Sequence, residues 1–326
     1  MQRRHFCLGA LFASLGFNTT ARATPASYPS RAVRIIVPYA AGGGPDVMMR
    51  QFGPKLSAVL EQPVVVENKV GAGGVLAAQY VAQADADGYT ALLGSNSHLI
   101  QKALQPDLAF DPLNDFLPVT VIATSPTVLV VSASSPYKTL QDLISALRAN
   151  PGKLNFASGG VGSGAHLGGA TFLSLLHANA VHIPFKGSVE IPVSLTRGDT
   201  DFAFAIAGTA IPQVEDGRLR ALAVSSRDPM PQLPNVPTLH GILHSELAIQ
   251  EFWFGFWLPQ GSPPEAVNKL FAATTTALQD PSVKRKFAAA GTRVIQSDNP
   301  QSFASFIQSE YRKWAEIIKL TGVTAG

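Results

Sequence analysis

A strand, a glycine-rich turn and a helix start follow one another near the beginning of the chain. Val33 to Val37 form a short apolar, mostly β-branched run, which is typical of a buried parallel strand. Gly42, Gly43 and Gly44 then allow a tight turn, and Asp46 is suited to be the N-cap of the next helix. Because a helix N-terminus under a glycine loop presents N–H groups without partners, this unit predicts an anion site.

The same unit recurs in the second half of the chain. Lys153 to Ala157 predict a strand, Ser158 to His166 a second glycine loop, and a helix follows. Further strands are predicted at 63–67 and 89–94, and they end in Gly71 to Gly74 and in Ser95 to Ser97. Strands and helices that alternate in this way predict an α/β fold with a parallel sheet. Ligands of such sheets bind beyond the carboxyl ends of the strands, where these loops converge.

Two places predict that the chain crosses between two lobes. Val119 to Ala123 and Thr127 to Val131 are predicted as separate strands, broken at Ser125-Pro126. The aromatic run Gln250 to Pro259 is predicted as a strand that returns to the first lobe, with at most one of its rings touching a ligand. The expected organisation is therefore lobe 1 from residues 24–123 and 252–326, lobe 2 from residues 124–251, and a two-strand hinge between them.

The first 23 residues are interpreted as a secretory signal peptide. Arg3 and Arg4 provide the positive region, and Cys7 to Phe17 the apolar region. Ala21-Arg22-Ala23 is a small-x-small cleavage site, so export to the periplasm is expected. Arg3-Arg4-His5-Phe6 fits both an ordinary Sec signal and the core of a twin-arginine signal.

Removal of this segment changes the charge and the cysteine content. The remaining chain has 22 Lys and Arg residues and 22 Asp and Glu residues, because Arg3, Arg4 and Arg22 leave. No basic face for nucleic acid is implied. Cys7 is the only cysteine and leaves as well, which excludes disulfides, thiol catalysis and cysteine-bound metals.

No motif for a cofactor or for catalysis is complete. Gly160 to Ala165 formally fits the dinucleotide fingerprint, but no acidic residue ends the next strand. There is no phosphate-binding P-loop, no G-x-S-x-G elbow and no zinc-binding histidine pattern. We therefore expect neither a cofactor nor a metal.

Several stretches together resemble one family, and they cover the chain from about residue 28 to 321. They include IIVPYAAGGGPD, QPVVVENKVGAGG, PGKLNFASGGVGSGAHL, VHIPFKG and FGFWLPQGSPPEAVNKL. In this order and spacing they resemble the Bug (TctC-like) family of extracytoplasmic solute receptors, the binding components of tripartite tricarboxylate transporters. The resemblance implies a two-lobed type II periplasmic-binding-protein fold that closes on a small carboxylate.

The resemblance also implies which residues bind the ligand. The family grips its ligand with backbone N–H groups of one loop per lobe and with ordered water. On this sequence the first loop corresponds to Tyr39, Ala40, Ala41, Gly42, Gly43 and Asp46, and the second to Ser158, Gly160, Gly162, Ser163 and His166. Further pocket-lining positions correspond to Ser95, Phe185, Lys186 and Ala205.

Three of these residues have a second interpretation. Asp46 is either a helix cap or a contact for an amine or bound water. His166 either donates a hydrogen bond to the ligand or only packs the loop, and Lys186 either neutralises a carboxylate or is a solvated charge. Ala205 and Gly164-Ala165 depart from family positions that often carry Asp and Ser or Thr. We hypothesise that the ligand therefore lacks an ammonium group and is larger or more apolar than a short amino acid.

The expected function is that of a periplasmic, monomeric solute-binding protein. It would hold a small carboxylate between its lobes and present it to the membrane subunits of a tripartite tricarboxylate-type transporter. One alternative is a sensing partner of a membrane signalling system, which would use the same closed form. A second is a secreted enzyme acting on a small carboxylate, for which the sequence offers no nucleophile and base.

Overall fold

The structure is a computed structural model that describes residues 28–325, so the interpretation of residues 1–23 as a signal peptide lies outside it. The strands are β1 (Val33–Val37), β2 (Val64–Asn68), β3 (Thr90–Ser95), β4 (Phe116–Ser132), β5 (Asn155–Ser158), β6 (Val181–Pro184), β7 (Phe202–Ile206), β8 (Leu219–Val224), β9 (Glu251–Pro259) and β10 (Arg293–Val294). The helices are α1 (Gly44–Leu60), α2 (Val75–Ala82), α3 (Asn96–Leu104), α4 (Leu140–Ala149), α5 (Gly164–Leu176), α6 (Ile191–Arg197), α7 (Ala207–Glu215), α8 (Leu239–Leu243), α9 (Pro264–Leu278), α10 (Pro281–Ala289) and α11 (Pro300–Thr321).

The sheet of lobe 1 has the strand order β2-β1-β3-β9-β4, and β10 pairs with the far edge of β4. Strand β1 is parallel to β2 and β3, as predicted. Strand β9 is antiparallel to β3 and β4, so the prediction of a parallel sheet was wrong for these central strands. They run antiparallel because β4 leaves lobe 1 and β9 returns to it.

Lobe 2 repeats the parallel unit around the second half of β4. Strand β5 lies between β6 and β7 and is parallel to both. Strand β4 is antiparallel to β7 and β8, which flank it. The carboxyl ends of β1 and β5 both lead into glycine loops, which places the two loops in corresponding positions of the two lobes.

Strand β4 is one continuous strand of 17 residues, which corrects the prediction of two strands broken at Ser125-Pro126. Its residues up to Pro126 pair with β9, and from Thr127 onward it pairs with β7 and β8. Pro126 is tolerated because it stands at the last pair with β9, where a missing N–H costs little. The pairing thus changes partners where β4 and β9 run side by side, as a two-strand hinge requires. The exact lobe boundaries stay a prediction.

Apolar layers cover both faces of the lobe 1 sheet. Helices α1, α9 and α10 bury Phe52, Leu270 and Phe287 on one face. Trp253 and Trp257 of β9 pack on the other face. Leu76 of α2 points away from this layer and is 52% exposed.

The C-terminal helix α11 binds to both lobes. Its Trp314 packs with Ile100 of α3 and Leu167 of α5. The carboxylate of Glu310, only 7% exposed, accepts hydrogen bonds through Oε2 from the indole N–H of Trp253 at 2.9 Å and of Trp314 at 3.2 Å. Lys313 Nζ lies 2.5 Å from Glu310 Oε1. One buried carboxylate therefore connects the helix to β9, the central strand of lobe 1.

Candidate functional site

The first glycine loop, between β1 and α1, uses two of its amides within itself. Gly42, in the left-handed region at φ +78°, donates its N–H to Asp46 Oδ2 at 2.8 Å. Gly43 donates its N–H to the carbonyl of Ala40 at 3.1 Å and is the N-cap of α1. No protein acceptor is found in residues 28–325 for the N–H groups of Ala40 and Ala41. These two amides are the donors that the loop can offer to a ligand.

The buried side chain of Asp46 holds this loop in shape through its hydrogen bonds. It is only 1% exposed and stands three residues inside α1 from the cap, so the prediction that it is the N-cap was wrong. Arg50 Nε donates to both of its oxygens at 3.0 Å, and Asn68 Nδ2 donates to Oδ1 at 2.8 Å. Burial alone would raise the pKa of Asp46, but the hydrogen bonds from Arg50, Gly42 and Asn68 outweigh burial and hold the pKa below its ordinary value.

The second glycine loop, between β5 and α5, is held by side chains of its own ends. Ser163 is the N-cap of α5, and its Oγ accepts the N–H of His166 at 3.3 Å. His166 Nδ1 in turn accepts the N–H of Gly162 at 3.2 Å. Ser158 Oγ accepts the N–H of Gly160 at 3.1 Å and lies 2.6 Å from His182 Nε2. Because helix starts leave their first amides without intrahelical partners, Gly164 and Ala165 carry the donors that remain.

Two histidines stack behind this loop. The rings of His166 and His182 lie 3.7 Å apart between centroids and are nearly parallel, at 7°. Burial, and secondarily the neighbouring His182, lowers the pKa of His166 to about 3. Burial lowers the pKa of His182 to about 4. Both rings are therefore neutral at physiological pH, and a neutral His166 Nδ1 can accept the Gly162 N–H.

These pKa shifts predict a loss of stability in acid. An unfolded chain binds protons on His166 and His182 as the pH falls below about 6.5, whereas the folded chain resists until pH 3 to 4. We expect the free energy of unfolding in urea to be highest above pH 6.5 and to fall steadily toward pH 4. His182→Gln should flatten this slope, and His244→Gln, at an exposed histidine, should leave it unchanged. Equal slopes in all three proteins would contradict the expectation.

A third glycine loop joins the two predicted ones. Gly71, Gly73 and Gly74 have φ values of +147°, +64° and +102°, which a side chain at these positions would not readily adopt. The loop follows β2 and lies at the same rim as the first glycine loop. The sequence placed it at this rim but did not assign it to the ligand site, because no resemblance to a ligand loop accompanied it.

The three loops enclose a cavity of about 50 Å³ between the lobes. The wall is lined by Pro38, Tyr39, Ala40, Val70, Gly71, Gly73, Gly74, Ser97, Gly159, Ser163, Ala165, Lys186, Gly187, Ser188, Ile191, Phe204, Ile206 and Phe252. None of these is acidic, and Lys186 is the charged residue among them.

Four of the predicted site residues line this cavity: Tyr39, Ala40, Ser163 and Lys186. The others are not among its lining residues. They are Ala41, Gly42, Gly43, Asp46, Ser95, Ser158, Gly160, Gly162, His166, Phe185 and Ala205. Ser95 supports Tyr39, since the two hydroxyl oxygens lie 2.8 Å apart. Asp46 holds the shape of the first glycine loop, and Ser158 and His166 hold the shape of the second, through their hydrogen bonds to loop amides.

Ala205 and Phe185 belong to the interior of lobe 2 instead. Ala205 packs with Val128 and Ile191 in a core cluster to which Phe185 adds its ring. Side chains alternate along a strand, so its neighbours Phe204 and Ile206 reach the cavity and Ala205 does not. The departure at Gly164-Ala165 does affect the cavity, because Ala165 lines it.

The apolar part of the wall includes one ring from the aromatic run of β9. Phe252 lines the cavity and fills the space beside Gly164, where an added Cβ would lie 1.9 Å from the ring. Sequence patterns did not identify Phe204, Ile206 or Ile191 as lining residues, because buried apolar residues look alike whether they face a core or a cavity.

Residues 28–325 contain no helix that is both long and apolar enough to cross a membrane. In the same range no group of His, Cys, Asp and Glu side chains is arranged to hold a metal ion. The site therefore consists of backbone amides, hydroxyls, one lysine and apolar side chains.

Comparison with known proteins identifies the family. The chain is 35% identical over 329 residues to protein BugT of Bordetella pertussis, covering 99% of this chain and 98% of BugT. An R. palustris protein solved with adipate has 30% identity and a TM-score of 0.86, covering 91% of this chain and 99% of that one. MatC of Rhodopseudomonas palustris, solved with bound malate, has 30% identity and a TM-score of 0.83, covering 89% of this chain and 100% of MatC.

These neighbours and their family are substrate-binding proteins, not enzymes. Residues 48–323 match the family model described as tripartite tricarboxylate transporter family receptor, TctC. The match extends over both lobes and includes the second and third glycine loops. The chain therefore belongs to the TctC family of periplasmic solute-binding proteins, of which the Bug proteins are members.

Proposed function

We propose that this protein captures a small carboxylate between its lobes and delivers it to the membrane subunits of a tripartite tricarboxylate-type transporter. One observation carries the proposal: Ala40 of lobe 1 and Ala165 of lobe 2, whose N–H groups have no acceptor within residues 28–325, line a cavity with no acidic side chain in its wall. The neighbours solved with adipate and malate support a carboxylate as the ligand. Lys186 adds a positive charge to the wall.

The two amide-bearing loops explain how a carboxylate could be buried. Removing a carboxylate from water is costly unless charge-assisted hydrogen bonds replace its hydration. Ala40 would donate from lobe 1, and Ala165 from the N-terminus of α5 in lobe 2. Only the closed arrangement offers both sets of donors, so binding would draw the protein toward closure.

The wall also restricts the ligand. An ammonium group in the cavity would have no carboxylate to pair with, so amino acids are disfavoured. Because the cavity of about 50 Å³ is small beside the roughly 300 Å³ or more of typical ligand pockets, a longer diacid would need the lobes to stand further apart. If the ligand is larger than a short amino acid, as hypothesised, the lobes must therefore close less far around it.

A ligand screen tests the proposal directly. Thermal shift over aliphatic and aromatic mono- and dicarboxylates, with malate, adipate, aspartate and glutamate included, should find stabilising ligands among the acids without an amine. Calorimetry should then give a single site per chain. Tight binding of aspartate or glutamate alone, or of no carboxylate at all, would contradict it.

Replacing Ala165 with proline should weaken binding while leaving α5 intact. Helix α1 already begins with Gly44-Pro45, and proline is tolerated in the first turn because its missing N–H has no intrahelical partner. Ala165→Pro therefore removes one donor from the cavity. A hydrogen bond to a charged group contributes about 1.5–3 kcal/mol, so affinity should fall at least about tenfold in calorimetry.

Ala165→Ser is the matched control, because it keeps the amide and changes the side chain only slightly. It should bind within a few-fold of the unchanged protein. If both variants bind equally well, the amide of Ala165 does not contact the ligand.

Delivery and export need separate tests. Uptake of the ligand into vesicles that contain the two membrane subunits should require this protein; binding without uptake would favour the sensing role instead.

Mass spectrometry of protein from the periplasm should show a chain that begins at Thr24. A chain that retains residues 1–23 would contradict the predicted cleavage. Native mass spectrometry should show a monomer.

A further inference from the structure

Gln101 connects the two lobes without touching the cavity. It lies on α3 in lobe 1 and is only 3% exposed. Its side-chain Nε2 donates to the backbone carbonyl of Val161, in the second glycine loop of lobe 2, at 2.7 Å. Its Oε1 accepts from Gln105 Nε2 at 3.3 Å. The side-chain amide is thus buried at the contact between the lobes, and both of its ends are used.

Two glycines make the slot that this amide occupies. A Cβ added to Gly73 would lie 2.2 Å from Gln101 Nε2, and one added to Gly162 would lie 2.6 Å from the same atom. Gly73 belongs to the third glycine loop, which is in lobe 1, and Gly162 belongs to the second glycine loop, which is in lobe 2. The amide of Gln101 is therefore packed between two loops that both contribute to the ligand site.

The bond to Val161 also fixes the orientation of a peptide unit. The carbonyl of Val161 and the N–H of Gly162 belong to the same peptide group. Gln101 holds the carbonyl and His166 Nδ1 holds the N–H, at 2.7 Å and 3.2 Å. A rotation of this peptide group would break both hydrogen bonds and would turn the carbonyl oxygen of Val161 away from Gln101 in lobe 1.

We propose that Gln101 is a positioning residue that sets ligand affinity by stabilising the closed state and the second glycine loop within it. Its bond to Val161 joins the lobes, so opening must break it, and it contributes to the closed state alone. A ligand that binds between the lobes gains affinity with the population of that state. The expected effect of Gln101 on ligand affinity rests on the proposed function. Its expected effect on closure does not.

Two substitutions separate the donor from the shape of the side chain. Gln101→Ala removes the bond, and Gln101→Glu keeps the shape but sets an oxygen against the Val161 carbonyl. Gln105→Ala is the control, because Gln105 contacts Gln101 Oε1 but makes no hydrogen bond to lobe 2. We expect about a tenfold weaker affinity for Gln101→Ala, a larger loss for Gln101→Glu, and little change for Gln105→Ala.

Kinetics distinguish positioning from a general loss of structure. Stopped-flow measurements should show faster ligand release with an unchanged association rate, and the thermal midpoint of the ligand-free protein should change little. Faster association, or an affinity loss matched by Gln105→Ala, would overturn the proposal.

Closure can also be measured without any ligand. Spin labels attached through Lys269→Cys in lobe 1 and Arg148→Cys in lobe 2, in the chain without residues 1–23, report the distance between the lobes. The unchanged protein should show a closed population that Gln101→Ala depletes. A distribution without a closed population, or one that Gln101→Ala leaves unchanged, would overturn the role of Gln101. Failure of every carboxylate to bind would instead overturn the proposed function and leave this measurement valid.

Discussion

Gly208→Val should lower ligand affinity about a hundredfold, because it places a side chain where the two lobes touch through their backbones. Gly208 is the second residue of α7 in lobe 2, and a Cβ there would lie 3.3 Å from the Cα of Gly44 at the start of α1. The N–H of Gly44 and Thr209 Oγ1 are 3.4 Å apart across the same contact. A Cβ alone is barely accommodated, and the two further carbons of valine have no space unless the lobes separate.

The size of this effect follows from the equilibrium between open and closed forms. A loss of about 3 kcal/mol in the closed state weakens binding roughly a hundredfold if only that state holds the ligand tightly. Gly208 has an ordinary φ, so valine does not strain its backbone. Calorimetry should show the loss, and X-ray scattering should show a larger radius of gyration with ligand present.

A graded series makes this prediction sharper. Gly208→Ala should have a mild effect, and Glu215→Val, an exposed position on the same helix, should have none. Affinity that does not depend on the size of the side chain at residue 208 would show that this contact does not limit closure.

Glu310→Ala should destabilise the fold by about 3 kcal/mol, the second large effect expected here. The substitution leaves the indole N–H groups of Trp253 and Trp314 without their shared acceptor. An unsatisfied buried donor costs about 1–3 kcal/mol, and both indoles lie in the interior. Urea unfolding should show a lower midpoint with an unchanged slope.

Glu310→Gln tests whether the charge matters beyond the acceptor oxygen. Its amide oxygen can still accept from an indole, so it should lose less stability than Glu310→Ala. Glu316→Ala, at an exposed position of α11, is the control and should be close to neutral. If Glu310→Ala and Glu316→Ala are equally stable, the two indole bonds contribute nothing net.

The strands and glycine loops were predictable because their patterns are local. The run from Val33 to Val37, its glycines and the helix start appear in the structure much as the sequence indicates. The helix α3 was not predicted, because Ser95 to Ser97 read as a strand end. Its start is a capping box between Ser95 and His98, and a histidine at that position is not an obvious cap.

The wall of the site was less predictable than its loops. Backbone amides donate to the ligand or to their own loop depending on turn geometry, and the sequence does not show that Gly43 donates to Ala40. Glycine patterns therefore indicate loops that line the cavity, but they do not show which amides of those loops are left without a protein acceptor. Contacts between lobes, such as Gln101 with Val161, join residues far apart in sequence and leave no local pattern.

The position of β9 has a consequence for the order in which the protein can be assembled. Strand β9 lies between β3 and β4, in the middle of the lobe 1 sheet, yet it follows all of lobe 2 in the chain. Until Glu251 to Pro259 are in place, β3 and the first half of β4 have no partner on their inner edges. Lobe 2 apart from its hinge is a continuous segment and needs no such late arrival. Contacts over long sequence separations form slowly. The central strand of lobe 1, and the C-terminal helices that follow it, thus become available only after all of lobe 2 has been synthesised or exported.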